Sequence, residues 1–252
     1  MRYCRYQINE TDQPIEGVFN DDTVSPIATS GGSIPVSEVI FLPPVTPSKI
    51  VCVGRNYAEH AKELGNEVPT EPLLFLKAPS ALMTEGGVIL IPAQSQQVEH
   101  EAELAIVMGK DAKDILDSEN PLDYAFGYMC LNDVTARDLQ RKDVQFTRAK
   151  SFDTFCPVGQ FIQTELDISD LRVTCKINGE IRQDARASQM VFPVDFLIRY
   201  ISRQMTLKKG DVIATGTPSG VSKMNDGDIC EVEIEGIGIL RNEVRTGNAV
   251  TG

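Results

Sequence analysis

The sequence predicts a mostly β protein of the α+β class, built around a mixed sheet. Segments rich in valine, isoleucine and other strand-forming residues recur along the chain, whereas segments with helical periodicity are few and short. Because the helices do not alternate regularly with the strands, a doubly wound parallel sheet does not fit the pattern. The 252 residues, 42% of them hydrophobic and 24% charged, are enough to bury a full globular core.

The first 45 residues predict a small N-terminal β unit. The strand patterns RYCRYQI and PIEGVF are followed by NDDTVSPIATSGGSIP, where polar turn residues separate short strands. The prolines of FLPPVTPSK, at 41–49, discourage any element from running through this segment. We therefore predict a small unit of residues 1–45 and a larger domain of residues 46–252.

The larger domain contains most of the predicted elements. Its strand segments are IVCVG (50–54), LLFLK (73–77), VILIP (88–92), VEHEAELAIVMG (98–109), YAFGYMCLN (124–132), LRVTCKI (171–177), DVIATG (211–216) and DICEVEIEGIGILRNEV (228–244). Its helical segments are NYAEHAKELG, TARDLQRK and PVDFLIRYISRQM, the first ending at Gly65. Asn178-Gly179, between two strand patterns, predicts a tight hairpin.

Three glutamates alternate along the segment VEHEAELAIVMG. Glu101 and Glu103 would stand roughly 7 Å apart on one face of a strand, close enough to share a cation. The apolar continuation LAIVMG indicates a strand that enters the core, where a charge must be paired or liganded. A solvated acidic strand is the alternative, and Glu99 is predicted to face solvent. His100, on the apolar side, is predicted to be a hydrogen-bonded core histidine.

A second group of candidates surrounds the predicted helix TARDLQRK. Asp133 follows a strand, so its side chain can point into a cleft, although it can equally cap the helix. Arg137 and Gln140 are three residues apart and share a helix face, which suits a carboxylate ligand or a surface ion pair. Lys150, in RAKSFD, is either partly buried or an ordinary solvated lysine.

The remaining candidates are a helix pair and a glycine-rich turn. His60 and Glu63 are three residues apart on a short helix, so the carboxylate can orient the imidazole as a general base. An exposed helix pair is the simpler interpretation. The turn GTPSG, at 216–220, can form an anion-binding nest or an ordinary Pro-Gly turn, and the chain has no phosphate-binding loop of the GxxxxGK[ST] type.

Composition limits the class of function. The formal net charge of -12 and the lack of a basic stripe oppose nucleic-acid binding. Because no apolar run approaches membrane length and the N-terminus has no secretory core, we expect a cytoplasmic protein that does not bind membranes. Six scattered cysteines form no CxxC pair, and only two histidines are present. Any metal site would therefore use oxygen ligands, which suit Mg²⁺ or Mn²⁺.

Seven motifs in this order resemble the fumarylacetoacetate hydrolase family over residues 45–245: VGRNYAEHAKELG, PLLFLKAPSAL, HEAELAIVMGK, NDVTARDLQ, AKSFDTFCPVG, INGEIRQD and GDVIATGTPSGV. The resemblance is nearest to the branch that acts on small two-oxo acids. It implies a mixed β-roll for the catalytic domain of residues 46–252, and a homodimer. The segment RKDVQFTRAK is shorter than in the hydrolase members, which leaves the pocket wall and the exact substrate open.

The resemblance also implies roles for individual residues. The metal ligands of the family correspond to Glu101, Glu103 and Asp133. The catalytic positions correspond to His60, Glu63 and Lys150, and the substrate-binding positions to Arg137, Gln140, Thr217 and Arg55.

The activity implied is Mg²⁺- or Mn²⁺-dependent chemistry on a small-molecule 2-oxo (β-diketo) acid, with C–C bond hydrolysis of acylpyruvates foremost. Oxaloacetate decarboxylation or tautomerisation and 2-hydroxyhepta-2,4-diene-1,7-dioate isomerisation are the alternatives. A glycoside hydrolase could also use paired carboxylates, but the chain has no tryptophan for sugar stacking. A non-catalytic oxo-acid-binding module is the other competing hypothesis.

Overall fold

The computed structural model describes residues 1–28 and 31–247. The first strands are β1 (Arg2–Gln7), β2 (Ile15–Asn20), β3 (Thr23–Pro26), β4 (Ile34–Pro35), β5 (Ile40–Leu42), β6 (Ile50–Gly54), β7 (Leu73–Lys77), β8 (Leu82–Thr84), β9 (Val88–Ile91) and β10 (Val98–Glu99). The later strands are β11 (Ala102–Met108), β12 (Ala125–Asn132), β13 (Thr135–Ala136), β14 (Cys156–Val158), β15 (Phe161–Gln163), β16 (Arg172–Ile177), β17 (Glu180–Arg186), β18 (Val212–Ala214), β19 (Ile229–Ile234) and β20 (Gly238–Thr246). The helices are α1 (Ala58–Glu63), α2 (Arg137–Asp143), α3 (Thr147–Lys150) and α4 (Val194–Gln204), with short 3₁₀ turns at Val36–Glu38, Pro79–Ala81, Pro121–Tyr124 and Ala187–Gln189.

A mixed sheet of 13 strands forms the centre of the described structure, with the order β4-β3-β2-β1-β15-β12-β11-β18-β6-β7 and with β5, β8 and β14 paired at its side. Strands β11 and β12 are antiparallel neighbours, and every residue of β11 is buried. The pairs β18–β6 and β14–β8 are parallel, so the sheet is mixed. The predicted mostly β fold is confirmed.

A second sheet of five strands has the order β17-β16-β19-β20-β9. The predicted hairpin joins β16 to β17 through Asn178 and Gly179, whose φ angles are 53° and 80°. Both residues therefore adopt the left-handed conformation that this two-residue turn requires. The hairpin places Gln183 of β17 beside the central strands, where its side chain is fully buried.

The N-terminal strands extend the large sheet instead of standing apart from it. Strand β1 pairs with β2, β5 and β15, and so connects residues 1–45 to the rest of the chain. Cys4, Tyr6 and Val24 form a small buried cluster separate from the main core. The boundary near residue 45 stays a prediction.

The helices lie outside the sheets and differ in what they cover. Helix α4 corresponds to the predicted segment 193–205 and buries Leu197, Ile198 and Ile201. The short helices α1, α2 and α3 surround one cavity at the ends of the central strands. Helix α3 is a single turn that the sequence pattern does not predict. Within the described residues, none of the helices is both long and apolar enough to cross a membrane.

Candidate active site

A cavity of about 260 Å³ opens between the central strands and the short helices. Nine of the ten predicted site residues line it, and they are Arg55, His60, Glu101, Glu103, Asp133, Arg137, Gln140, Lys150 and Thr217. The tenth, Glu63, contacts His60 from the same helix. Val53, Gly54, Leu64, Asn66, Leu73, Phe75, Arg141 and Phe146 complete the wall.

Glu101, Glu103 and Asp133 are all buried at the floor of this cavity, and each offers a carboxylate oxygen within 4.8 Å of those of the other two. The strand that carries the glutamates is broken at His100 and Glu101, between β10 and β11. There the backbone N–H of Glu101 donates to the side chain of Asn132 (2.9 Å) in place of a strand partner. The backbone N–H of Asp133 donates in turn to the carbonyl of Glu101 (2.9 Å), so the two acidic residues are joined at the break.

Two buried lysines hold the Asp133 carboxylate, one on each oxygen. The Lys77 ammonium donates to Oδ1 (2.6 Å) and also to the carbonyl of Val134 (3.1 Å). The Lys150 ammonium donates to Oδ2 of Asp133 (2.6 Å) and to Oε2 of Glu101 (2.7 Å). The capping interpretation of Asp133 is wrong, because the first turn of α2 has no side-chain cap. The solvated interpretation of Lys150 is also wrong, since the residue is only 2% exposed.

Glu101 has a second donor, and Glu103 has a donor from the backbone. Arg137 Nη2 donates to Oε1 of Glu101, and the backbone N–H of Gly216 donates to Oε2 of Glu103 (2.8 Å). Gly216 has a φ of +99°, and a Cβ there would lie 2.6 Å from Cβ of Asn56. Only glycine therefore lets this loop approach the floor so closely. Each carboxylate of the triad is thus anchored through one oxygen by a donor of its own.

The charges of this cluster shift the pKa values of its members in opposite directions. Burial raises the pKa of Glu101, but Lys150 and Arg137 outweigh that effect and bring the pKa below its usual range. Burial raises the pKa of Glu103 well above its usual range, and the charges of Asp133 and Glu101 add to the increase. Of the three carboxylates, that of Glu103 is therefore the one whose negative charge is least compensated by nearby cations.

The residues present fit a divalent cation at this point. Four buried carboxylates, those of Glu99, Glu101, Glu103 and Asp133, face three buried cations, those of Lys77, Arg137 and Lys150. The excess negative charge and the all-oxygen donor set are what hard divalent cations such as Mg²⁺ bind.

The position of Glu99 differs from the sequence prediction. The pattern predicts that Glu99 faces solvent, but the residue is 6% exposed, and its Oε2 accepts from Nε of Arg137 (2.8 Å). Alternation along a strand predicts a shared side for the three glutamates. It does not reveal that an arginine from α2 covers that side. His100 is fully buried and hydrogen-bonded, so the prediction of a core histidine is confirmed.

The side chain of Gln140 is oriented by Arg137. Nη1 of Arg137 donates to Oε1 of Gln140 (2.6 Å). Because a guanidinium can only donate, the amide oxygen of Gln140 must face it, and the amide NH₂ is left for a ligand in the cavity. The shared helix face predicted for these two residues places both on the cavity wall.

His60 and Glu63 form a pair at the edge of the cavity. His60 is 4% exposed, which contradicts the interpretation as an exposed helix pair, and its Nδ1 lies 3.2 Å from Oε2 of Glu63. Since a carboxylate only accepts, Nδ1 carries a proton, and in the neutral form of the imidazole Nε2 keeps a free lone pair. The other oxygen of Glu63 accepts from the backbone N–H of Gly220 (2.9 Å), so the GTPSG turn fixes the pair in place.

Gln183 connects several parts of the floor, and the sequence interpretation missed it. Its Oε1 lies 3.0 Å from Nδ1 of His100 and accepts from the N–H of Ala102 (3.0 Å). Its Nε2 donates to Oγ1 of Thr217 and to the carbonyl of Pro218, both at 2.7 Å. Thr217 in turn donates to the carbonyl of Ala102 (2.9 Å), so its hydroxyl proton is already used within the protein.

Lys77 is another buried residue that sequence reasoning missed. The pattern LLFLK gives a lysine at a strand end, where exposure is the usual state, yet Lys77 is 1% exposed. Its alternation with Leu73 and Phe75, two cavity residues of the same strand, is the local signal that it faces the floor.

Two residues, one that lines the cavity and one in the exposed loop after α2, have unusual backbone angles. Arg55 has a φ of 58°, a left-handed conformation that is uncommon for residues other than glycine. Val144, between α2 and α3, has a φ of 59° and a ψ of -47°, and the N–H of Gln145 donates to the carbonyl of Asp143 (2.5 Å). These features define a strained γ-turn, and its valine is 83% exposed.

Comparisons with known proteins agree with this geometry. The family model described as fumarylacetoacetate (FAA) hydrolase C-terminal matches residues 49–245. The mitochondrial oxaloacetate decarboxylase of Dictyostelium discoideum is 46% identical over 199 residues, which cover 76% of this chain and 91% of that protein. The mitochondrial oxaloacetate tautomerase FAHD2A of Bos taurus is 41% identical over 231 residues, covering 86% of this chain and 73% of that protein.

Solved structures give the same result for the fold. The crystal structure of a protein named 5-carboxymethyl-2-hydroxymuconate delta-isomerase, from Mycobacterium smegmatis, superposes with a TM-score of 0.89 and 40% identity. The match covers 98% of this chain and 100% of that chain. The family model, the relatives and the buried carboxylate triad together establish that this chain belongs to the fumarylacetoacetate hydrolase family of oxo-acid enzymes.

Proposed function

We propose that the protein is a divalent-metal-dependent enzyme that hydrolyses the C–C bond of acylpyruvates, which are small 2-oxo (β-diketo) acids. The observation that carries this proposal is that a general base and a candidate cation site line the same cavity. The His60–Glu63 pair, a ready general base, opens onto the same space as the carboxylate triad. A base beside a cation site is the arrangement that water attack on a polarised carbonyl needs.

Glu101, Glu103 and Asp133 would hold the cation, which we propose to be Mg²⁺ or Mn²⁺. When bound, the cation supplies stabilisation for the negative charge of the enolate that forms as the C–C bond breaks. Lys77, Arg137 and the N–H of Gly216 keep the three carboxylates in position for it. This support keeps the floor organised before a substrate arrives.

The other residues bind the substrate and move the proton. The NH₂ of Gln140 and the remaining N–H groups of Arg137 orient the 2-oxo acid end, with Lys150 beside them. Nε2 of His60 removes a proton from water, and the water oxygen bonds to the distal carbonyl carbon. The bond from that carbon to C3 then breaks, its electron pair goes to C3, and His60 returns the proton there. The products are a carboxylic acid and pyruvate.

Decarboxylation or tautomerisation of oxaloacetate is the second candidate function. It is favoured by the names of two relatives that are 46% and 41% identical to this chain. Isomerisation of a hydroxydienedioate is a related alternative, favoured by the name of a solved structure. All of these reactions pass through an enolate, but only hydrolysis needs water to attack a carbonyl carbon.

One experiment separates these candidates. The purified protein, loaded with Mg²⁺ or Mn²⁺, is incubated with acetylpyruvate, oxaloacetate or 2-hydroxyhepta-2,4-diene-1,7-dioate, and the products are followed by NMR. We expect acetate and pyruvate from acetylpyruvate, and no turnover in EDTA. Pyruvate and CO₂ from oxaloacetate, without any acetylpyruvate cleavage, would favour the second candidate. Turnover that persists in EDTA would contradict both.

We also propose that the enzyme acts as a cytoplasmic homodimer that binds neither nucleic acid nor membranes. The family resemblance supports the dimer, and the net charge of -12 supports the absence of nucleic-acid binding. Size-exclusion chromatography with light scattering should give twice the chain mass of 27.7 kDa. A monomer at micromolar concentration would contradict the proposed assembly.

A further inference from the structure

The antiparallel ladder between β11 and β12 stops just before two of the candidate cation ligands. Ala102 and Asn132 are the last paired residues, and a continued ladder would pair Glu101 with Asp133. Only half of that pair is present. The N–H of Asp133 donates to the carbonyl of Glu101 (2.9 Å), whereas the carbonyl of Asp133 accepts from the hydroxyl of Thr135 (2.8 Å). The buried N–H of Glu101 therefore needs another acceptor.

The side chain of Asn132 supplies that acceptor. Its Oδ1 accepts from the N–H of Glu101 (2.9 Å), and the residue is only 1% exposed, so water does not compete for the contact. Because an N–H only donates, the amide oxygen must face Glu101, and the amide NH₂ must point the other way. The amide is neutral, so it holds the backbone without adding a charge beside the four buried carboxylates of the floor.

Cys230 of β19 holds the other end of this amide. Nδ2 of Asn132 donates to Sγ of Cys230 (3.4 Å), and among the described residues this sulfur is the one acceptor that Nδ2 reaches. Sγ of Cys175, on the neighbouring strand β16, lies 3.8 Å from Sγ of Cys230, and both thiols are buried. The Asn132 amide is thus fixed between the backbone of Glu101 and a buried thiol of the five-stranded sheet.

A second side-chain amide holds the next residue of the same strand. Oε1 of Gln183 accepts from the N–H of Ala102 (3.0 Å), so two consecutive N–H groups at the strand break use side-chain acceptors, one from β12 and one from β17. Gln183 has further partners in the site, whereas the side-chain hydrogen bonds of Asn132 go to Glu101 and Cys230. Asn132 is therefore the more specific position to test.

Neither Asn132 nor Cys230 is among the residues that line the cavity. A cation at the floor therefore touches neither of them, and their influence on it passes through Glu101. Because the reach of a side chain begins at its own backbone, the position of the Glu101 backbone limits where its carboxylate can lie. Groups that orient metal ligands from outside commonly change metal affinity by about 10- to 100-fold.

We propose that Asn132, oriented by Cys230, is a positioning residue of the cation site: it holds the backbone of Glu101 and thereby sets the affinity for a divalent cation without touching the ion. The inference rests on the proposed function, because it assumes that the triad binds such an ion. It gives a role in metal binding to a thiol of the five-stranded sheet that takes no part in the catalytic steps.

The test measures Mn²⁺ binding by calorimetric titration and stability by urea unfolding. Asn132→Leu keeps the approximate size of the side chain but removes both of its hydrogen bonds, and we expect Mn²⁺ to bind about tenfold more weakly. Ser202→Ala is the control, because Oγ of Ser202 is likewise a buried side-chain acceptor for a backbone N–H, that of Ile115. It should leave Mn²⁺ affinity within about twofold of wild type, since independent sites couple no more strongly.

Cys230→Ala tests the thiol by itself, and it decides the matter if Asn132→Leu fails to fold. The change removes the acceptor of the Asn132 NH₂. We expect Mn²⁺ to bind about threefold more weakly, a smaller loss because sulfur is a weak acceptor. Cys4→Ala, the same truncation in the separate N-terminal cluster, should keep wild-type affinity.

Each contrary result has its own meaning. Wild-type Mn²⁺ affinity in Asn132→Leu would overturn the role of Asn132, and wild-type affinity in Cys230→Ala would overturn the orienting role of the thiol. Equal losses in the control variants would show a general effect of lower stability and would overturn both roles. Failure of the wild-type protein to bind Mn²⁺ would contradict the proposed function and the inference together, whereas the other results contradict the inference alone.

Discussion

The buried floor of the cavity and its more exposed outer wall, which includes Arg55 and Arg141, are built in opposite ways. At the floor, the carboxylates of Glu101 and Asp133 share the buried ammonium of Lys150, and each has a further donor of its own. At the outer wall, Arg55 and Arg141 lack carboxylate partners within the described residues. Charges that neutralise one another hold the buried floor together, whereas Arg55 and Arg141 add little to stability because no carboxylate of the described residues pairs with them. Substitutions should therefore affect the free energy of unfolding more at the floor than at the outer wall.

The largest effect is expected from Glu101→Ala at the floor. The change removes one carboxylate of the triad, so Arg137 and Lys150 each lose a partner in a buried site. We expect Mn²⁺ binding and turnover to disappear and the free energy of unfolding to fall by about 3 kcal/mol. Calorimetric titration and denaturant unfolding measure the two effects. Glu99→Gln, which also alters an Arg137 contact but spares the triad, should keep metal binding.

His60→Ala should separate catalysis from metal binding. The substitution removes the base but none of the triad, so we expect the rate of hydrolysis to fall by about 10² to 10⁴ with Mn²⁺ affinity unchanged. Lys62→Ala, on the same helix and exposed, is the control and should retain full activity. Full turnover by His60→Ala would mean that the base is assigned wrongly.

Lys77→Met tests whether Lys77 supports the metal site by positioning the Asp133 carboxylate or only by neutralising its charge. Without Lys77, the Asp133 carboxylate loses one of its two anchors, and we expect Mn²⁺ affinity to fall by about tenfold. If Lys77 merely neutralised charge, its removal would instead strengthen the binding of a cation. Lys49→Met, which breaks a similar lysine–aspartate pair with Asp211 away from the cavity, should destabilise the protein without changing metal affinity.

Low pH should reduce the free energy of unfolding through the buried His100. Burial lowers the pKa of His100 below its ordinary 6.5, so the unfolded chain binds a proton that the folded protein rejects. The stability contributed by the neutral imidazole is complete above pH 6.5 and is lost as the pH falls below it, by up to about 1.4 kcal/mol per pH unit. Urea unfolding of wild type and His100→Gln at pH 7.5 and pH 5.5 should show a smaller loss in the variant. Equal losses would remove His100 from the explanation.

The smallest effect is expected outside the cavity, from Val144→Gly in the loop between α2 and α3. A β-branched residue at the centre of a γ-turn is strained, and its 83% exposure means that glycine removes little packing. We expect a gain of about 0.5 kcal/mol, after subtraction of the flexibility that glycine adds to the unfolded chain. Gln145→Gly, at the next residue and without a positive φ, should instead be destabilising. Thermal unfolding compares the two.

The positions of most strands could be predicted from the sequence. The segments around β6, β7, β12 and β16 carry strand-forming residues in runs that a local pattern detects, and the structure confirms them. Asn178-Gly179 likewise determines its own turn, because few other pairs tolerate two left-handed residues. The strand break at Glu101 was not predictable in this way. It depends on the side chains of Asn132 and Gln183, which come from distant parts of the chain.

In the candidate site, too, some features could be predicted from the sequence and others could not. Spacing and family resemblance identified Glu101, Glu103 and Asp133 as a candidate cation site, since residues two apart on a strand share a side. The sequence did not reveal that Lys77 lies beneath Asp133 or that Arg137 covers Glu99. The sequence by itself therefore determined the strands, the hairpin and the identity of the acidic residues. Only the tertiary structure decided which cations face them and which arginines stay unpaired, because an ion pair depends on distances between segments that no local pattern contains.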